Sequence, residues 1–217
     1  MKDTLAKNGL MLGTFAVITT ALIAMTFFAT EPRIEQQKAR KLLSVLNEVV
    51  PLKLHDNAMY ADCTEVVSKQ LGNTLPHRVY RATLNGAPSA LVLEATAPDG
   101  YSGDIELVIG VDTQLKVLGV RVLEHKETPG LGDKIELSVS NWITQFTGKR
   151  FNADALAPWQ VKKDGGEFDQ FTGATITPRA LVSAVRTALL CAAEEQSKLF
   201  SAPNACLTTA PTSEVSS

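Results

Sequence analysis

Between Asn8 and Thr30 the chain reads NGLMLGTFAVITTALIAMTFFAT, 23 residues without a charge. As a helix rising about 1.5 Å per residue this run is roughly 34 Å long, enough to cross the hydrocarbon core of a bilayer. A cleaved signal peptide has a shorter apolar region, roughly 7–15 residues, and the end of this run, FFATEP, is a poor small-residue cleavage site. The pattern predicts a retained transmembrane helix over residues 8–30 behind a short cytoplasmic segment, residues 1–7. Residues 31–50 then place Leu42, Leu43, Leu46, Val49 and Val50 on one stripe among charged positions, which predicts an amphipathic connector helix ended by Pro51.

Further on the apolar period shortens to two. HRVYRATL and SALVLEATA flank Asn85-Gly86, a pair that favours positive φ, and read as a hairpin. GDIELVIGV and LKVLGVRVLEHKE around Asp112–Gln114 read as a second. Residues 51–75 are mixed, with a helix expected around Thr64–Gln70. Asp133 reads as the N-cap of a helix from Lys134 to about Phe146, and VKKDGGEF as a short hairpin turning at Asp164–Gly166. Thr177-Pro178 opens a helix to about Lys198, with Leu181, Val182, Val185, Leu189 and Ala192 at helical spacing. Residues 51–200 thus predict one α+β domain, a curled antiparallel sheet of four strands packed with helices. Residues 201–217, rich in Ser, Thr, Ala and Pro, predict a disordered tail.

Charge adds an exclusion. With 21 Lys+Arg against 23 Asp+Glu the chain offers no basic face of the kind nucleic acid requires. Three histidines and three cysteines are too scattered for a zinc site, and no iron–sulfur spacing or G-x-G-x-x-G dinucleotide fingerprint occurs. Around the apolar run, Lys2 and Lys7 precede while Arg33, Lys38, Arg40 and Lys41 follow; the positive-inside rule alone puts the large domain in the cytoplasm.

Two stretches carry candidate chemistry. In DQFTGATITPRAL, Thr177 is explained as a helix cap, but Thr172 and Thr175 are not. They are surplus polar residues of a capped turn, or Thr175 lies beside the unpaired N–H groups and positive end of a helix, where phosphate binds. In HKETPGLGDKIE, Gly130 and Gly132 either make an ordinary strand-to-helix connection or let the backbone approach a flat ligand.

Taken together, the two stretches resemble the covalent FMN-binding domain family. Asp169-x-x-Thr172-Gly173-Ala174-Thr175 matches its [DE]-x-x-[ST]-G-A-T pattern, and Glu127, Thr128, Pro129, Gly130, Leu131 and Gly132 match its glycine-rich E-T-P-G-L-G stretch. Within the family the chain is similar in particular to flavoprotein subunits of Rnf (Rsx) ion-translocating electron-transport complexes. The resemblance implies FMN joined by a phosphoester to Thr175, by a separate flavin transferase that uses FAD as donor. It also implies an electron-relay subunit, rather than a self-sufficient enzyme, with other membrane subunits as partners. Its place would be the inner membrane, anchored in lipid, with the domain in the periplasm, against the charge rule. Asp169 would orient the acceptor loop or serve the transferase, and the Glu127–Gly132 loop would cover one side of the ring. His125 and Lys126 either stabilise reduced flavin or form a solvated pair. An oxidising compartment would admit a Cys63–Cys206 bridge, with Cys191 a buried small hydrophobe. Two other readings stand: the FMN subunit of a sodium-translocating NADH:quinone oxidoreductase, and a membrane-anchored binding module without flavin.

Overall fold

The computed structural model describes residues 2–206. The chain divides into two compact units, Met1–Leu42 and Leu43–Ser217. Helix α1 runs Lys2–Val49 without a break, so the division expected near residue 30 between a span and a connector is not a break in the helix. Its apolar part, Lys7–Glu31, is long and apolar enough to cross a membrane.

In the second unit, five antiparallel strands form one sheet in simple order: β1 (Cys63–Val66), β2 (His77–Leu84), β3 (Ala87–Ala97), β4 (Ile105–Asp112) and β5 (Val117–Glu124). Asn85 and Gly86, at φ 52° and 76°, turn β2 into β3, the two left-handed residues of a tight hairpin. Asp112 Oδ1 accepts the N–H groups of Gln114 and Lys116 and closes the turn between β4 and β5.

The sheet is covered on both faces. Alternate residues of β4, Ile105, Leu107, Ile109 and Val111, join one core with Leu181, Val185, Ala188, Leu189 and Ala192 of helix α2 (Ile176–Ser201). Trp142, Phe146, Trp159 and Phe168 extend that core as a cluster of ring contacts 4.4–6.4 Å apart. Gly110 points to the opposite face, where it pairs with Gly119 of β5. Over this glycine pair sits Val49, from the end of α1: a Cβ on Gly110 would come within 2.3 Å of Val49 Cγ1. Arg121 of β5 pairs with Glu48 alongside at 3.0 Å. With both faces packed, strands such as LVIGV carry apolar residues without alternation.

Several expectations are corrected. The sheet is open, not curled, because a helix on each face completes its burial. A strand, β1, occupies residues 63–66 where a helix was expected; its partner β2 lies beyond any local signal, and Ser68 caps only a short 3-10 turn, Lys69–Leu71. No α-helix forms over residues 134–146. Two 3-10 turns stand there, Gly132–Ile135 and Asn141–Phe146, with Asp133 inside the first rather than capping it. Ser140 Oγ takes the Trp142 N–H and restarts the chain, as serine does when it competes with a helix. Residues 161–168 form a 3-10 turn closed by a single bridge, Val161 to Phe168, instead of a hairpin.

The end of the domain is also firmer than expected. Cys206 is disulfide-bonded to Cys63, with Cα atoms 5.3 Å apart, so residues 201–206 are tied down. Asn204 accepts the Cys63 N–H and donates to the Ala61 carbonyl. Arg81, its side chain nearly buried, pairs with Asp62 at 2.6 Å and donates to the Phe200 and Ala202 carbonyls. Cys191 is free and buried. The expected disorder of residues 207–217 lies outside the described residues.

Candidate functional site

Three connections meet at the start of α2: residues 98–104 between β3 and β4, the loop 125–131 after β5, and the turn 169–175. What joins them is Glu127. It is buried, and each carboxylate oxygen accepts a hydrogen bond from a different segment. Ser102 N–H donates to Oε1 at 3.0 Å, and Thr177 Oγ1 donates to Oε2 at 2.5 Å. Gly132 packs on the same side chain: a Cβ there would lie 2.5 Å from Glu127 Oε2 and 2.9 Å from Thr177 Oγ1. That position excludes any side chain. Gly130 is glycine for another reason, a φ of 79° with open space around it, while the Leu131 and Gly132 N–H groups close onto the Thr128 carbonyl.

The turn into α2 is built from its base. Trp142 Nε1 donates to the Asp169 carbonyl at 2.8 Å, and the Asp169 carboxylate pairs with Lys162 at 2.5 Å. The Phe171 ring meets Trp142 edge-on at 5.1 Å, and the Ala174 N–H returns to the Phe171 carbonyl. Gly173, at φ 84°, then swings the chain so that Thr175 becomes the N-cap of α2. Its side chain makes no capping hydrogen bond, and the residue is exposed. Thr177, expected as the cap, is instead fully buried in the first turn and spends its hydroxyl on Glu127.

Between these segments lies a cleft of about 350 Å³. Of the residues the sequence singled out, it brings together Glu127, Thr128, Leu131, Gly132, Gly173, Ala174 and Thr175. Gly130 shapes the loop without lining the cleft; Asp169 and Thr172 also stand outside it, Asp169 holding the base of the turn. His125 is not solvated: its ring is largely buried, accepts the Glu127 N–H at Nδ1 and meets Glu136 Oε1 at 3.0 Å through Nε2. Lys126 is exposed, and neither lines the cleft. Tyr101, Ile176 and Thr177 do line it and were not anticipated. One turn along α2, Arg179 holds Asp164 by two hydrogen bonds, and its guanidinium keeps the Asp164 carboxyl below the usual value.

Residues 100–190 match the FMN-binding domain family, and residues 1–49 match the RnfG N-terminal region. Relatives extend the likeness to nearly the whole chain. The G subunit of the ion-translocating oxidoreductase complex of Pseudoalteromonas atlantica is 53% identical over 207 residues, covering 95% of this chain and 96% of its own. Its counterpart in Vibrio parahaemolyticus is 50% identical over 206 residues, covering 95% and 98%, and that in Vibrio cholerae 49%, covering 95% and 99%. The chain belongs to this family of ion-translocating oxidoreductase complex G subunits.

The residues present fit an FMN. The cleft falls within the roughly 300–1,000 Å³ of small-molecule sites. Its walls mix backbone turns and apolar side chains, and beside them lie a free hydroxyl and the N–H groups of a helix start, the surroundings a phosphate requires.

Proposed function

We propose that the chain carries FMN in phosphoester linkage to Thr175 Oγ1 and relays electrons within an Rnf-type complex, alongside that complex's other membrane subunits. The observation that carries this reading is the placement of Thr175. Of the three threonines in the turn, Thr177 is buried and bonded to Glu127 and Thr172 stands away from the cleft, while Thr175 lines it with its hydroxyl uncommitted to a cap. Bound FMN supplies one- and two-electron chemistry of its own. The chain supplies the acceptor oxygen, the N–H groups of the first turn of α2 to receive a phosphate, and an apolar-walled cleft that shields one side of a flat ring. In this reading the cation that clamps phosphates during transfer from FAD belongs to the flavin transferase.

The same reading puts the domain on the periplasmic side of the inner membrane, with the apolar part of α1 in lipid. The Cys63–Cys206 disulfide supports that side, since such bonds persist in oxidising compartments, and it opposes the small Lys/Arg bias around the span. The sodium-translocating alternative is not favoured by any observation, and the flavin-free module is opposed by the family match.

Thr175→Val tests the linkage because it keeps the shape and removes the nucleophile. The full chain, expressed with its transferase, should give a flavin-fluorescent band on a denaturing gel; Thr175→Val should give none while Thr177→Val keeps it. Flavin mapped by mass spectrometry to Thr172 or Thr177, or retained in Thr175→Val, would refute the assignment.

A further inference from the structure

We infer that Tyr101 is a ring-contact residue of this site, its phenol lying against the isoalloxazine of the FMN tethered to the same chain; the inference rests on the reading that the cleft holds covalent FMN. Tyr101 lines the cleft with Thr175, Leu131 and Ile176, yet it is 67% exposed. A single exposed aromatic is ordinary. The way its loop is held is not.

Both chain neighbours of Tyr101 lean on one buried carboxylate from a different loop. Ser102 donates its N–H to Glu127 Oε1, and Gly100 is packed so closely that a Cβ there would stand 3.0 Å from the same oxygen. The other oxygen of Glu127 takes the hydroxyl of Thr177, two residues beyond the acceptor threonine. Tyr101 and Thr175 are thereby held in register through the two oxygens of one side chain. A surface turn with no ligand to meet has no use for a buried carboxylate at its back. A turn that presents a ring to something attached at Thr175 does.

The chemistry of the walls points to a flat, aromatic occupant. Tyr101, Leu131 and Ile176 gather three large, exposed apolar side chains at one mouth, the last two 42% and 45% exposed. Leu131 reaches across to the acceptor turn, its Cδ2 lying 3.5 Å from where a Cβ on Gly173 would be. Phenol and isoalloxazine rings are both planar, and planar aromatic rings stack favourably in offset arrangements. Because Tyr101 is exposed and outside the core, replacing it removes the ring without opening a cavity.

The full-length chain in detergent, flavinylated in the cell, is compared as wild type, Tyr101→Leu and Tyr101→Phe. The denaturing gel reports attachment whatever Tyr101 does, while native flavin emission, relative to the same sample in SDS, and visible circular dichroism report the ring's surroundings. Wild type should emit severalfold less than its denatured form, since a stacked phenol quenches flavin. Tyr101→Leu should recover most of that emission and lose most of the visible dichroism with the flavin still attached; Tyr101→Phe should keep the dichroism. Attached flavin with unchanged emission and dichroism in Tyr101→Leu overturns the inference. Loss of attachment in Tyr101→Leu alone also overturns it, assigning the ring to transferase recognition or to a docking partner. Wild-type protein without covalent flavin instead overturns the functional reading, and this inference with it.

Discussion

The two ends of α2 are held in opposite ways. At its C-terminal end the chain is bolted: the disulfide joins Cys206 to Cys63 across 143 residues, and nearly buried Arg81 gathers the carbonyls of Phe200 and Ala202. At its N-terminal end it is held without a covalent bond: Glu127 takes the Ser102 N–H and the Thr177 hydroxyl, and Arg179 holds Asp164 by two hydrogen bonds, amid glycines and exposed residues. The bolted end carries no candidate chemistry. The other end must leave a hydroxyl free and a cleft open, and a hub of hydrogen bonds positions backbone turns without filling the space between them. The covalent bolt and the candidate site thus lie at opposite ends of one helix.

The largest effect should come from unbolting. Replacing Cys63 and Cys206 together by Ser should cost about 3–5 kcal/mol on the chain-entropy argument for so long a loop, read as a lower melting temperature of the full chain in detergent. Flavin on Thr175 should survive at temperatures where the variant stays folded. The same disulfide reports sidedness: protein trapped with a thiol reagent from intact cells should show one free thiol, Cys191. Three free thiols would place the domain in a reducing compartment.

A smaller loss of stability and a larger loss of function should follow at the other end. Glu127→Ala removes the acceptor for Ser102 and Thr177 and leaves a buried hydroxyl without its partner, about 2–4 kcal/mol in sum. Covalent flavin should fall sharply even where the protein remains folded. Thr177→Val removes only one of these bonds, should cost about 1–2 kcal/mol and should retain the flavin. If Glu127→Ala were fully flavinylated, the contrast between the two ends would fail.

The smallest effect concerns neither end. His77, on β2, is buried against Thr96, and that burial lowers its pKa below the ordinary value of 6.5. As pH falls through that value the unfolded chain takes up the proton first, so stability should decline on acidification. Glu106, raised mainly by burial, acts with the opposite sign: the folded state keeps its proton to higher pH, so acidification favours folding in the lower window between its ordinary and folded values. His77→Gln should flatten the decline that begins near pH 6.5 in melting curves.

What could be read from the sequence follows the range of the forces involved. Strands β2 to β5 announce themselves because short apolar-rich runs and the turns that bound them, such as Asn85-Gly86, are local signals. Strand β1 does not, since four residues become a strand only through pairing with β2. The turn 169–175 and the glycine-rich loop, which both contribute residues to the cleft, are visible as short motifs. The second function of Thr177 is not, because a hydroxyl followed by proline looks like a cap and its true partner lies 50 residues upstream. Tyr101 gives no signal at all: it sits in an ordinary turn, and only the buried carboxylate behind that turn draws it into the site.

The paired glycines beneath Val49 bear on where the second compact unit begins. Pro51 looks like a natural boundary, with a membrane helix and connector before it and the domain after it. Yet Val45, Leu46, Val49 and Val50 are buried, and the second compact unit starts at Leu43. A fragment trimmed at Pro51 would strip one face of the sheet and leave the Gly110–Gly119 furrow open to water, inviting self-association. Cutting just before Leu43 keeps that lid, so eight residues of what looks like tether decide whether the domain can be handled away from the membrane.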